Sequence, residues 1–155
     1  MESFFAPEQR SAQELQAALT QIDHEQVIGH AQLSERLMQQ RAAIGRLKSM
    51  RAALSDLAWG VEELEQRLRD LQALREAPHD PLVEREVSSM IGRRAQLEEL
   101  LLAQMLEADD LAASIAAEEH ALTAAQSAWS ARAAALAAER AQVADLLARI
   151  ATSGK

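Results

Sequence analysis

Large apolar residues recur along this chain at spacings of three and four, the rhythm of a coiled-coil seam rather than of a strand. Between residues 47 and 71 the row reads Leu47, Met50, Leu54, Leu57, Val61, Leu64, Leu68 and Leu71. In the second half Ile115, Leu122, Trp129, Leu136, Val143 and Ile150 recur every seven residues, and Val83, Val87, Met90, Leu97 and Leu101 make another row upstream. The large residues change phase between Leu101 and Ile115, near Met105 and Leu111, and slip again between Leu33 and Leu47. Such stutters locally alter a supercoil.

The prolines punctuate this pattern. Pro7 stands near the start, Pro78 and Pro81 flank His79-Asp80, and no other proline interrupts the chain. Pro7 suits the first turn of a helix, where its missing N–H costs nothing. Pro78 pushes Ala77 out of the helical region. Asp80 is placed to cap a second helix with Pro81 at its first position, and Ser153-Gly154 makes a stop. The expected fold is all-α, a long antiparallel two-helix coiled-coil hairpin in one domain over 1–155. Helix 1 is expected at about 7–76, the tip at 77–81 and helix 2 at about 81–151. Each arm would run about 105 Å at 1.5 Å per residue.

Charge supports the hairpin independently. Residues 36 to 55 carry Arg36, Arg41, Arg46, Lys48 and Arg51 and no acid. Residues 95 to 131 carry Glu98, Glu99, Glu107, Asp109, Asp110, Glu118 and Glu119 and no base. A reversal at His79-Asp80 sets these stretches side by side, with facing residue numbers adding to roughly 159. Arg41 with Glu118, Glu65 with Arg94 and Arg75 with Glu84 are candidate cross-arm pairs. A parallel homodimer of straight helices would instead lay base on base and acid on acid. A homodimer of hairpins stands beside the lone hairpin as an expectation, because residues 111 to 151 include 18 alanines, which bury little area each.

Composition narrows the function. The 155 residues include 33 Ala, 5 Gly, 3 Pro, no Tyr and no Cys. That is too little turn and aromatic material for a sandwich, barrel or α/β sheet. Without cysteine there is no disulfide, thiolate metal site or Cys nucleophile. Neither the N-terminal residues nor any apolar run resembles a signal peptide or a membrane span, so a cytoplasmic protein away from membranes is expected. A net charge of −8 argues against nucleic acid as partner.

No chemistry converges on a site. His24, His30 and His120 lack the i, i+4 spacing of helical zinc ligands. Asp109-Asp110 and Glu118-Glu119-His120 read as solvated charge. Gly29, Gly45, Gly60 and Gly92 stand alone within helices and mark close packing or bends. Trp59 and Trp129 read as packing residues, and Phe4 and Phe5 as folding onto the open end of the hairpin. With no nucleophile, base and orienting group together, no enzyme, cofactor or metal is expected. Candidate interaction residues are Arg36, Arg41, Arg46, Lys48 and Arg51. Most of these are spaced by five, so their side chains step around the helix and form no single stripe.

Three stretches together resemble the bacterial C4-type zinc-ribbon domain proteins. Leu15 to Asp23 is similar to that family's N-terminal heptads. Glu84-Arg85-Glu86-Val87 through Ile91-Gly92-Arg93-Arg94 resembles the segment after its hairpin tip. Leu97-Glu98-Glu99-Leu100-Leu101-Leu102-Ala103-Gln104-Met105 is similar to the acidic, Leu-rich stretch that follows. The family joins a helical hairpin to a ribbon of two C-x-x-C motifs, which this chain lacks, so its zinc is not implied. The resemblance implies a hairpin that serves as a protein-interaction arm. The expected function is a non-catalytic interaction module or spacer with a protein partner. A nucleic-acid-associated regulator using residues 36–51 and a small coiled-coil export or assembly chaperone are the alternatives.

Overall fold

The computed structural model describes residues 2–74 and 80–153, with side chains from residue 12 onward. The fold is all-α. Helix α1 (Glu2–Leu74) and helix α2 (Pro81–Ser153) pack against each other as an antiparallel hairpin. Strong helix formers fill both arms, and a row of apolar residues gives each one stripe to bury.

The start of α2 follows from its first residues. Asp80 accepts a hydrogen bond from the Leu82 N–H on Oδ1 at 3.0 Å, while its carbonyl accepts from Val83 and Glu84 at 3.1 and 3.3 Å. Pro81 takes the first helical position, where an N–H would have no partner inside the helix. Residues 77–79 of the expected tip lie outside the described residues, as do Arg75 and Glu76. At the other end α1 begins at Glu2 rather than at Pro7. A proline here forgoes a single backbone bond, that to the Ser3 carbonyl. Phe4 and Phe5 therefore belong to α1 instead of preceding it.

Burial along α1 follows the heptad without a break. Every residue of the row from Leu47 to Leu71 is buried or half-buried, and Leu47, Val61 and Leu68 are buried outright. The row continues upstream at the same spacing through Ala43, Gln40, Arg36, Leu33, Gly29, Gln26, Ile22, Leu19 and Leu15, all at least half-buried. The slip expected between Leu33 and Leu47 is therefore absent. The seam crosses that stretch on Arg36, Gln40 and Ala43, which a search for large apolar residues passes over.

The same correction applies to α2. Gln104 is half-buried and Ala108 is buried, and they link Leu101 to Leu111 and Ile115 at spacings of three and four. One position repeats every seven residues from Val87 to Ile150, passing through Arg94, Leu101, Ala108, Ile115, Leu122, Trp129, Leu136 and Val143. Its companion position runs through Leu97, Gln104, Leu111, Glu118 and Ala125, and then moves by one to Ala133 and Leu147. A helix of 3.6 residues per turn drifts about 20° per heptad against a period of seven. This shift of the second row is that drift, and no phase change occurs near Met105.

Two compact units make up the hairpin, one of residues 40–118 and one of the first 39 residues with Glu119 onward. In the first, Leu68, Val87 and Met90 form a buried cluster, with Leu64, Leu71 and Val83 packed around it. In the second, Ile22, Leu122 and Leu136 are the buried residues among those described, and Leu136 is wholly buried at 0% exposure. Leu136→Ala should cost about 2–5 kcal/mol. Leu102→Ala, at a site 60% exposed, should change stability by less than ~0.5 kcal/mol. Chemical denaturation followed by circular dichroism measures both, and equal losses would mean that the seam is misplaced.

Candidate interaction surface

A two-helix fold leaves most of each helix in solvent, and that surface carries whatever the chain recognises. The candidate residues Arg36, Arg41, Arg46, Lys48 and Arg51 all lie on α1. Arg36 sits on the seam, half-buried, and has an interaction partner. Arg41, Arg46, Lys48 and Arg51 are exposed, and among the described residues they make no ion pair or hydrogen bond. The structure does not gather the five into a patch, since a spacing of five turns successive side chains to different sides. Of the expected cross-arm pairs, Glu65 with Arg94 does not form. Arg94 lies on the seam and reaches Glu98 of its own helix at 3.8 Å.

Cross-arm ion pairs occur instead in the unit that contains the chain ends. Arg132 grips Glu25 with two parallel bonds, Nε to Oε1 at 2.8 Å and Nη2 to Oε2 at 3.0 Å. Arg140 Nε donates to Asp23 Oδ1 at 2.9 Å. The hydrogen bond from Arg132, helped by its charge, holds the Glu25 carboxyl below the usual glutamate range against a weaker opposing effect of desolvation. The same hydrogen bond to Glu25 raises the Arg132 guanidinium. Bidentate geometry of this kind fixes direction as well as distance. In the other unit Gln40, a seam residue, makes a cross-arm polar contact: its Nε2 donates to the Ile115 carbonyl at 2.9 Å.

Trp129 lies directly over Gly29. A Cβ on residue 29 would fall inside van der Waals contact of the indole atoms Cζ3, Cη2 and Cε3. Gly29 thus provides the gap that admits the largest side chain of the seam. Open grooves of about 480 and 570 Å³ flank the ring on its two sides. The first is bordered by Glu25, Arg36 and Arg132, the second by Val27, His30 and Ala133. Gly45, Gly60 and Gly92 differ, because a Cβ at each would meet nothing. The pairing of Gly29 with Trp129 was visible in the chain only as two residues whose numbers satisfy the tip rule.

Exposed apolar side chains concentrate in the unit of residues 40–118. Ile44, Trp59, Leu74, Leu82, Ile91, Leu100, Leu102, Met105 and Leu106 are exposed there, against Val27, Ile28, Met38 and Leu146 in the other. Trp59, expected to pack, is 63% exposed, at a position diametrically across α1 from the seam. Among the described residues no group of three acidic or histidine side chains is placed to hold a metal ion. No helix is long and apolar enough to cross a membrane.

Comparison with known proteins adds a likeness of fold. No protein-family model matches the chain, and no curated protein matches it. A solved structure of a protein from Mycobacterium smegmatis is similar, with 25% identity and a TM-score of 0.50, over 95% of this chain and 71% of that one.

Replacing Gly29 by Ala should lower the melting temperature although alanine is the better helix former, because overpacking costs about 1–3 kcal/mol. Gly45→Ala and Gly92→Ala, in open space, should instead gain up to about 1 kcal/mol. Adding Trp129→Leu to Gly29→Ala should restore the loss, and thermal melts of the four proteins decide the matter. The Glu25 carboxyl, depressed in the folded chain, contributes stability above the ordinary glutamate range. That contribution disappears as pH falls through the folded value. Arg132→Gln should therefore flatten the acid limb of the stability profile, measured by denaturation between about pH 6 and pH 3.

Proposed function

We propose that this chain is a non-catalytic coiled-coil interaction arm that presents its outer helix faces to a protein partner. The observation that carries the reading is the exposed apolar row on α2. Ile91, Leu102 and Met105 fall on one side of that helix, away from its seam, and each is more than two-fifths exposed. Single exposed apolar residues need no explanation, but a run along one helix side is the surface a partner covers. The resemblance to the hairpin of the C4-type zinc-ribbon proteins supports the same reading.

The unpaired Arg41, Arg46, Lys48 and Arg51 are what a nucleic-acid reading would use. They point to several sides of α1, and the chain as a whole carries −8, so backbone phosphates would meet net repulsion. Immobilised wild-type chain should retain a defined protein from the lysate of its native host, and nuclease should not release it. Leu102→Glu with Met105→Glu should abolish retention while leaving the helical signal unchanged. Retention that vanishes with nuclease, or that falls about tenfold with a modest rise in salt, would favour the nucleic-acid regulator.

A further inference from the structure

We infer that the unit of residues 40–118 pairs face to face with the same unit of a second copy of this chain, across the groove at Gly60. This goes beyond the interaction reading and uses a different side of the hairpin. Gly60 and Leu64 of α1 and Arg93, Gln96, Leu97 and Leu100 of α2 line an open groove of about 560 Å³. Gly60 leaves it open, since a Cβ there would touch nothing, and Leu100 stands on its far lip at 45% exposure. Glu63 and Arg67 border the adjoining hollow on the α1 side.

Heptad spacing extends this side of the unit in both directions. Arg46 lies two heptads before Gly60, and Asp110 lies two heptads after Gln96, so each continues the row that lines the groove. The side therefore includes, along α1, Arg46, Asp56, Gly60, Glu63 and Arg67, and along α2, in reverse, Asp110, Glu107, Leu100 and Arg93. Among the described residues none of Arg46, Glu63, Arg93 and Asp110 has an ion-pair or hydrogen-bond partner.

Those charges match those of a second copy. Within the unit, α1 and α2 run antiparallel at the register shown by Leu68 with Val87 and Met90, and by Gln40 with Ile115. A two-fold axis parallel to the helices lays α1 of one copy over α2 of the other at that same register. Arg46 then meets Asp110 of the second copy, Glu63 meets Arg93, and Leu100 comes over the gap at Gly60. Each of these contacts occurs twice. The arrangement turns two hairpins into a four-helix bundle, in which a large residue on one helix fills the space beside a small one on another. Opposite charge at two levels selects this stacking over one that lays α1 on α1.

Sedimentation equilibrium of the full chain from about 1 to ~100 μM should show a monomer–dimer equilibrium. Gly60→Leu adds bulk at the groove from a Cβ that meets nothing inside the chain, and it improves helix propensity. It should keep the helical signal and weaken the dimer at least ~10-fold. Arg46→Glu and Asp110→Arg should each weaken it comparably. An equimolar mixture of those two variants should recover dimer, because each then faces an opposite charge at both sites. A chain that stays monomeric throughout, a Gly60→Leu dimer as tight as wild type, or a mixture no better than its components would overturn the proposal. A monomer that still retains a partner through Leu102 and Met105 sinks the self-pairing alone. A dimer with no such retention sinks only the interaction arm.

Discussion

One buried stripe per helix is all that two helices can share, and every other property of this hairpin depends on that limit. The stripe repeats in threes and fours from Leu15 to Leu71 on α1, and from Val83 to Ile150 on α2 with a single one-residue drift. There is no second layer to rescue a misplaced residue. A helix in a larger domain can bury a wide sector; here each seam position must contribute. The polar residues on the seam, Gln26, Arg36, Gln40, Arg94, Gln104 and Glu118, are correspondingly consequential. Gln40 shows how one is accommodated, by donating to a carbonyl of the facing helix at 2.9 Å. Polar seam residues weaken a coiled coil while restricting its register.

The two units solve the register problem by different means. The unit with the chain ends is rich in alanine, so its helices have little bulk with which to interlock. It uses one large residue in one gap, Trp129 over Gly29, and two arginine–carboxylate pairs across the arms. The pairs are exposed and add little stability, but the two-bonded fork of Arg132 on Glu25 holds only at one alignment. The other unit has the larger side chains of Leu64, Leu68, Val87 and Met90 and interlocks through them. Its exposed surface is also the more apolar.

Much of this was legible in the residues. The row from Leu47 to Leu71 and the six-fold repeat from Ile115 to Ile150 are the observed seams. Asp80-Pro81 starts α2 as its chemistry requires. The two expected phase changes are absent for a single physical reason. Burial in a thin coiled coil is set by position, not by size, so Ala43, Ala108, Gln40 and Gln104 occupy the seam as fully as leucine does. The opposed basic and acidic stretches gave the correct orientation. They did not reveal which ion pairs form, because a pair needs side chains on the same flank as well as at the same level, and flank depends on phase. Trp129 over Gly29 needs three-dimensional proximity that no local pattern encodes. Pro7 marked a first turn that α1 extends past, since one missing hydrogen bond does not end a helix of this length.

The unbroken heptad on α1 has a consequence for how such a chain can change over generations. Removing seven residues from one arm and seven from the facing level of the other returns every remaining side chain to its former direction and its former neighbour. Removing one residue turns everything beyond it by 100° and exposes the seam. Arm length is therefore free to vary in paired steps of seven, while single-residue insertions and deletions are confined to the ends and the turn. The two units can lengthen or shorten separately in this way, so the exposed apolar side chains near Leu102 can be kept while arm length changes.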